Sequence, residues 1–362
     1  MNISFINQER LLNAKIAYTS RNLNPESVAI LLDGDDVVPH AGDMLLAKII
    51  TVGHYNELEL VPGRRSGLSV GDEIIICYGN RYAPDQFEAQ VPNDLRICDL
   101  VAAGGIAARM NYRHARVRKP TRIQPIGLLA DCNERRINLK NNALPELFSL
   151  FPHPYTVAVV GTTINAGKTM TATTMIHGLA NAGYTVGAAK VTGTGSGRDA
   201  WLMEDAGSKL TLDFTHVGFP STHLVAPEQV ENIIETLVTH LSVAKMDAIV
   251  MEVAGGLLGC ETTALLNSKA FAKLVDSVIF AAGDALDAAA GIESLKRKKL
   301  PVTAISGRLT ASPRAVIETE DATGLPVLDK TALSSQTIVD VLQIPPSANT
   351  LHSGYDERLR AY

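Results

Sequence analysis

The 362-residue sequence predicts an α/β fold, a mostly parallel sheet with helices on both faces, preceded by a small all-β barrel or sandwich. Three observations carry this. From about residue 26 to 125, short β-rich runs are separated by turn signals, a spacing typical of barrels and sandwiches. From Tyr155 onward, apolar strands alternate with amphipathic helices, the pattern of a parallel sheet covered on both sides. Between the first such strand and helix lies the loop GTTINAGKT, residues 161–169.

In the first region the expected strands are Val28–Leu32, Met44–Val52, Glu57–Val61, Glu73–Tyr78 and Gln86–Val91, with turns at 33–36, 62–63 and 70–72. A further strand at Ile126–Leu129 leads to a short helical connection ending near Phe148. The second region predicts strands at Thr156–Val160, Thr185–Val191, Ala248–Glu252, Ser277–Ala282 and Val302–Ser306. Helices are expected at Thr169–Ala182, closed by Gly183 as C-cap, at Pro227–Ser242 and at Ala285–Lys299. The implied domains are 1–125 (β-rich), 126–150 (connector), 151–345 (α/β) and 346–362 (a polar tail).

Composition narrows the function. A net charge of −5, with acids and bases mixed, lacks the basic stripe of a nucleic-acid binder. The run Lys296–Lys299 falls at a helix end, where it complements the dipole. Cys77, Cys98, Cys132 and Cys260 form no CxxC pair, and no HExxH is present; neither a zinc ribbon nor a disulfide framework is expected. With no secretion signal and no run of about 18 apolar residues, the expectation is a cytoplasmic protein off the membrane.

The loop 161–169 has the chemistry of a phosphate cradle. Gly161 and Gly167 carry no Cβ to block inward-pointing N–H groups. Lys168 supplies a charge to the β- and γ-phosphates, and the Thr169 hydroxyl ligates Mg²⁺. Thr162, Asn165, Ala166 and Met170 complete the expected nucleotide contacts, at the start of a helix whose positive end faces the phosphates. The motif is a P-loop with five residues between its glycines where four are usual. Two more charges close strands at the same sheet edge, where open parallel sheets bind ligands. These are Glu252, followed by Val253-Ala254-Gly255-Gly256, and Lys190, followed by Val191-Thr192-Gly193 and a glycine-rich stretch to Asp199. Thr169, Asp199 and Glu252 form the expected metal set, and Lys190 points into the same crevice as Lys168.

These residues resemble the dethiobiotin synthetase and cobyrinic acid a,c-diamide synthase group over roughly 155–330. The carriers are GTTINAGKT (161–169), AAKVTGTGSGRDA (188–200), FPSTHL (219–224), VMEVAGGLLG (250–259) and the strand–helix–strand layout of 281–307. The resemblance implies an ATP- and Mg²⁺-dependent ligase or synthetase. In that group a carboxylate or carbamate oxygen attacks the γ-phosphate, and a nitrogen captures the acyl phosphate. It also implies that Lys168 and Lys190 are catalytic, stabilising the transferring phosphoryl charge. The small residues Gly255 and Gly256 and the glycine-rich stretch with Thr192 and Gly193 by themselves suggest room for substrate. The departures are Thr163, Ile164 and Asn165 where dethiobiotin synthetase serves its substrate, and Ser306-Gly307 where an Asn-Asp pair reads adenine. They point away from dethiobiotin as product and toward permissive base recognition.

Two other classes share the phosphate site, a small-molecule kinase and a nucleotide-dependent switch or metal-delivery NTPase. Against the switch, the additional P-loop lysine of partition ATPases is replaced by Thr162-Thr163, and neither a His/Cys cluster nor Asn-Lys-x-Asp is present. In the β-rich region, Arg64, Arg65 and Arg81 are candidates for a substrate carboxylate, since guanidinium forks bind carboxylates bidentately. The expected partners are a small-molecule substrate and a second copy of the chain, as a homo-oligomer of at least a dimer.

Overall fold

The computed structural model describes residues 1–147 and 152–346. Phe148, the boundary expected near 150 and nearly all of the tail lie outside the described residues. By internal contacts the chain forms two compact units. The first is Met1–Pro145 with Gly193–Arg198 and Phe214–Leu224; the second is Glu146–Thr192 with Asp199–Asp213 and the chain from Val225 onward. No described helix is long and apolar enough to cross a membrane.

The first unit is a barrel. Strands Met44–Thr51, Glu73–Tyr78, Ile106–Arg113, Cys98–Ala102 and Thr121–Ala130 pair in that order, and the last pairs back to the first. Closure of this kind leaves the ring without an open edge. Only the pairing of Ile106–Arg113 with Glu73–Tyr78 is parallel within the ring. The strands are buried on both faces: Leu45, Ile49, Ile74 and Ile76 enter one core, and Met44, Leu46, Ile75 and Cys77 another. Double burial explains why these segments read as continuous apolar runs rather than alternating ones.

Several sequence expectations shift here. The strand expected at Ile126–Leu129 is Thr121–Ala130, so it crosses residue 125, and 126–145 belongs to the β-rich unit instead of forming a connector. The helical connection is a 3₁₀ turn at Leu139–Asn142. Two ring strands, Cys98–Ala102 and Ile106–Arg113, were not among the expected ones. The second of these is buried at Ile106–Ala108 and then largely exposed, so it shows neither a clean alternation nor a long apolar run. The unit also takes in residues from far along the chain. A Cβ on Gly104 would stand 2.0 Å from the Gly195 carbonyl oxygen, so close packing ties residue 195 to the barrel.

In the second unit, six strands form one sheet in the order Leu210–Asp213, Val186–Lys190, Ala248–Glu252, Tyr155–Gly161, Ser277–Ala281, Val302–Ser306. Every pairing in it is parallel. The fold is therefore α/β with a P-loop strand in the middle, as the alternation of elements predicts. Helices Lys168–Asn181, Pro227–Val243 and Ala285–Arg297 follow the expected positions within two residues. The edge strand Leu210–Asp213 and the helix Gly197–Asp205 were not expected; the latter occupies part of a stretch that reads as a glycine-rich loop.

Gly291 lies inside the helix Ala285–Arg297, where alanine would normally gain about 1 kcal/mol. Its position over the sheet reverses that preference. A Cβ there would meet Phe280 Cζ at 2.1 Å, and the Phe280 ring is fully buried. We expect Gly291→Ala to destabilise this unit by about 1–3 kcal/mol through overpacking, read as a lower urea midpoint by far-UV circular dichroism. An unchanged or raised midpoint would contradict this packing.

Candidate functional site

The parallel register brings the charged strand ends together. Lys190 is the direct neighbour of Glu252 on one side and of Asp213 on the other, and Val159 of the P-loop strand lies across from Glu252. Parallel strands that end level deliver their last side chains to one edge, and there the P-loop turns into its helix. Gly161 ends its strand, and the Thr162 N–H donates to the Ala281 carbonyl at 3.1 Å. Gly167 sits at φ 102°, a left-handed conformation that suits glycine, and directly precedes the helix Lys168–Asn181.

Inside this edge, Lys168 Nζ donates to the Thr163 carbonyl at 2.6 Å and to the Ile164 carbonyl at 3.4 Å. Thr169 Oγ1 donates to Glu252 Oε1 at 2.9 Å. Lys190 Nζ is ion-paired to Asp199 Oδ2. Lys168, Lys190, Glu252 and Asp213 are all buried. The structure thus gathers the two lysines, Thr169, Asp199 and Glu252. Asp199 joins through Lys190 rather than through Thr169, because the buried ammonium takes its carboxylate.

Burial and mutual charge set the protonation of the cluster. Burial pulls the Lys168 ammonium down to about 8, with Lys190 adding repulsion and Glu252 and Asp199 opposing the fall. For Lys190, burial is again the largest influence and acts downward. The carboxylates of Asp199, Glu252 and Asp213 together outweigh it and hold Lys190 above the ordinary lysine value. Burial raises Glu252 above the usual carboxylate range, and the charge of Asp199 adds to the rise.

Sequence reasoning missed Asp213. The signal was available, since LTLD is an apolar run closing in an acid, like the AIVME that marks Glu252. The expected substrate glycines also make close contacts within the chain. A Cβ on Gly256 would meet the Thr162 carbonyl oxygen at 2.4 Å, and Leu257 N–H donates to that oxygen at 3.3 Å. The backbone that approaches Gly256 is the phosphate loop itself, whereas the sequence suggested room for substrate. Gly255 takes a positive φ of 85° in the same turn. Thr192 Oγ1 donates to the Ala254 carbonyl at 3.1 Å, tying the two strand-end loops together. Gly193 N–H donates to Thr222 Oγ1 at 2.9 Å.

Two of the three arginines expected at a substrate carboxylate are engaged within the β-rich unit. Arg65 pairs with the buried Glu59 at 2.9 Å. Arg81 is buried, donates to the Val101 carbonyl and to Gln86 Oε1, and lies over the Tyr55 ring. A buried guanidinium needs such internal acceptors; Arg64 remains on the exposed turn. Glu59 also accepts from Ser196 Oγ at 2.9 Å and from Gly197 N–H at 3.0 Å.

Around the loop's other side, Arg308 N–H donates to the Ala166 carbonyl at 3.0 Å. A cavity of about 600 Å³ opens here beside Gly167 and Met170, lined also by Ser306, Arg308, Asp329 and Lys330. Asn165 is exposed at the loop tip. The strand order, the loop and the convergent charges are those of a P-loop nucleotide-binding fold.

No protein-family model matches the chain, and no curated protein matches it. Solved structures do resemble it. Signal Recognition Particle 54 kDa protein from Aeropyrum pernix K1 in complex with GDP is 16% identical, with a TM-score of 0.39, over 61% of this chain. The chain spans 52% of that protein's length. The signal recognition particle receptor FtsY from Elizabethkingia anophelis is 15% identical, with a TM-score of 0.36, over 56% of this chain and 68% of the receptor. A duf1611 family protein from Anabaena variabilis is 15% identical, with a TM-score of 0.40, over 59% of this chain and 66% of that one.

An all-oxygen donor set with spare valence suits a hard cation. Glu252 Oε2 is buried with no hydrogen-bond partner, next to the Thr169 hydroxyl that its other oxygen engages. Among the described residues no three His, Cys, Asp or Glu side chains form a metal cage, and Mg²⁺ does not require one, since it keeps waters and phosphate oxygens as ligands.

The Lys168 value gives a pH test. A polyphosphate binds the ammonium form, so above about pH 8 binding must take up a proton. Affinity for Mg-ADP should therefore fall as pH rises from 8, approaching tenfold per unit, and the slope should vanish in Lys168→Met. Calorimetric titration from pH 7 to 9.5 measures this; a flat profile in the wild type would exclude the depressed lysine.

Proposed function

We propose that this chain is a Mg²⁺- and nucleoside-triphosphate-dependent ligase or synthetase that activates a small carboxylate or carbamate by γ-phosphoryl transfer. The observation that carries the reading is the second buried lysine. Lys190 is held on a rigid strand end by Asp199, between Glu252 and Asp213 and near Lys168. Holding a bound nucleotide needs one loop lysine. A second preorganised cation fits a site that stabilises charge as it moves between two bound molecules. The motif resemblance to the dethiobiotin synthetase group supports the same chemistry.

In this reading a substrate carboxylate oxygen attacks the γ-phosphorus, the bond to the β,γ-bridging oxygen breaks, and nucleoside diphosphate leaves. A nitrogen nucleophile then attacks the acyl carbon, loses a proton and expels inorganic phosphate. Lys168 and Lys190 neutralise the transferring phosphoryl group. Thr169 and Glu252 would hold Mg²⁺, with Asp199 reaching it through water, and the ion would neutralise charge on the β- and γ-phosphates. Asp199 and Asp213 keep Lys190 protonated.

Two measurements test it. Lys168→Ala and Lys190→Ala, assayed as protein whose far-UV circular dichroism matches the wild type, should each lose about 10²–10³ in nucleotide turnover. With a panel of small carboxylates, amines and bicarbonate, hydroxylamine should trap an acyl phosphate as a hydroxamate. A stable phosphorylated product would replace this reading with a kinase. Wild-type turnover in a folded Lys190→Ala protein would remove the second lysine from the chemistry.

A further inference from the structure

We propose that the cavity beside Gly167 takes a guanine base, with Asp329 as its reader. This rests on the nucleotide reading above and deepens it. Ser306-Gly307 offers no carboxylate, which is why the sequence suggested permissive base recognition. The fold supplies one from another segment: Asp329 lines the same cavity as Ser306 and Gly307.

The position suits a base. The cavity shares Gly167, Met170 and Thr171 with the phosphate loop and its helix, so a ring in it is continuous with phosphates on the loop. Gly307 adopts φ 104° and packs so tightly that a Cβ would meet the Ala166 carbonyl oxygen at 2.5 Å. With the Arg308 N–H bond to that same oxygen, this fixes the 307–308 segment of the lining to the loop. A volume of about 600 Å³ leaves room for a purine and its ribose.

The lining chemistry selects among bases. Asp329 Oδ1 accepts the Ala332 N–H at 2.8 Å, which sets the carboxylate's orientation before any ligand arrives. An ionised carboxylate has about four acceptor sites, so capacity remains. Guanine presents two adjacent donors, N1–H and N2–H, that one carboxylate accepts together. Its O6 and N7 are acceptors, and Arg308 and Lys330 line the same cavity as cationic donors. Adenine in the same pose turns its N1 lone pair and C2–H toward the carboxylate, with neither donor, and sets its N6 amino group where guanine has the O6 acceptor.

The experiment uses the full chain with Mg²⁺ and measures binding of GDP, ADP, XDP and inorganic tripolyphosphate by calorimetry. GDP should bind at least about tenfold tighter than ADP, the worth of one bidentate pair. Asp329→Asn keeps a side chain able to cap Ala332 but exchanges one acceptor for a donor. It should weaken GDP about tenfold and strengthen XDP, whose C2 carbonyl replaces the N2 donor; a misfolded variant cannot gain XDP affinity. Equal binding of GDP and ADP, or an unchanged GDP-to-XDP ratio in Asp329→Asn, overturns the guanine assignment while tripolyphosphate binding leaves the phosphate site standing. If tripolyphosphate and all three nucleotides fail to bind, the nucleotide reading falls and this assignment with it.

Discussion

The buried charge at the carboxyl edge of the parallel sheet is the constraint on which the rest of the α/β unit depends. Lys168, Lys190, Glu252 and Asp213 are each removed from water, and a buried ion without a partner costs several kcal/mol. Each is tolerated because the others are present, with Asp199 pairing Lys190 and Thr169 bonding Glu252. That mutual support requires the strands to end level. A shift of one residue between Val186–Lys190 and Ala248–Glu252 would turn one charged end toward the opposite face of the sheet. The register is therefore a condition of the site as well as of the core.

The loops above that edge are built by close backbone approach. Gly256 lies against Thr162 and Gly307 against Ala166, so the turns after two different strands are packed onto the phosphate loop. Thr192 joins the turns after Lys190 and Glu252. Such contacts tolerate no side chain, and they carry any displacement of the loop into its neighbours. The barrel solves a different problem. Its ring of pairings removes open edges and buries both faces of its strands. Its polar interior positions are consequently committed to structure, as Arg81 shows by satisfying Val101 and Gln86.

Much of the fold and the phosphate loop was legible in the sequence because both are local signals. Strand–loop–helix with GKT at its turn is encoded within a few tens of residues, and apolar runs closing in Lys190 or Glu252 announce buried parallel strands whose last residue reaches the ligand edge. The same reasoning applied to LTLD would have reached Asp213. It could not find the ring strand Ile106–Arg113, whose half-exposed sequence has no period to read.

By itself, then, the sequence determined the class of each half of the chain, the P-loop and the identity of the charges at the strand ends. The tertiary structure decided which of those charges pair. It gave Asp199 to Lys190, used Arg65 and Arg81 on Glu59, Val101 and Gln86, closed the barrel through Cys98–Ala102, and set Asp329 on the cavity wall beside Ser306. The physical reason is distance along the chain. Local spacing fixes where a strand or loop begins and ends, whereas the partner of a buried charge is chosen by strand order and register, which join residues that no short window contains together.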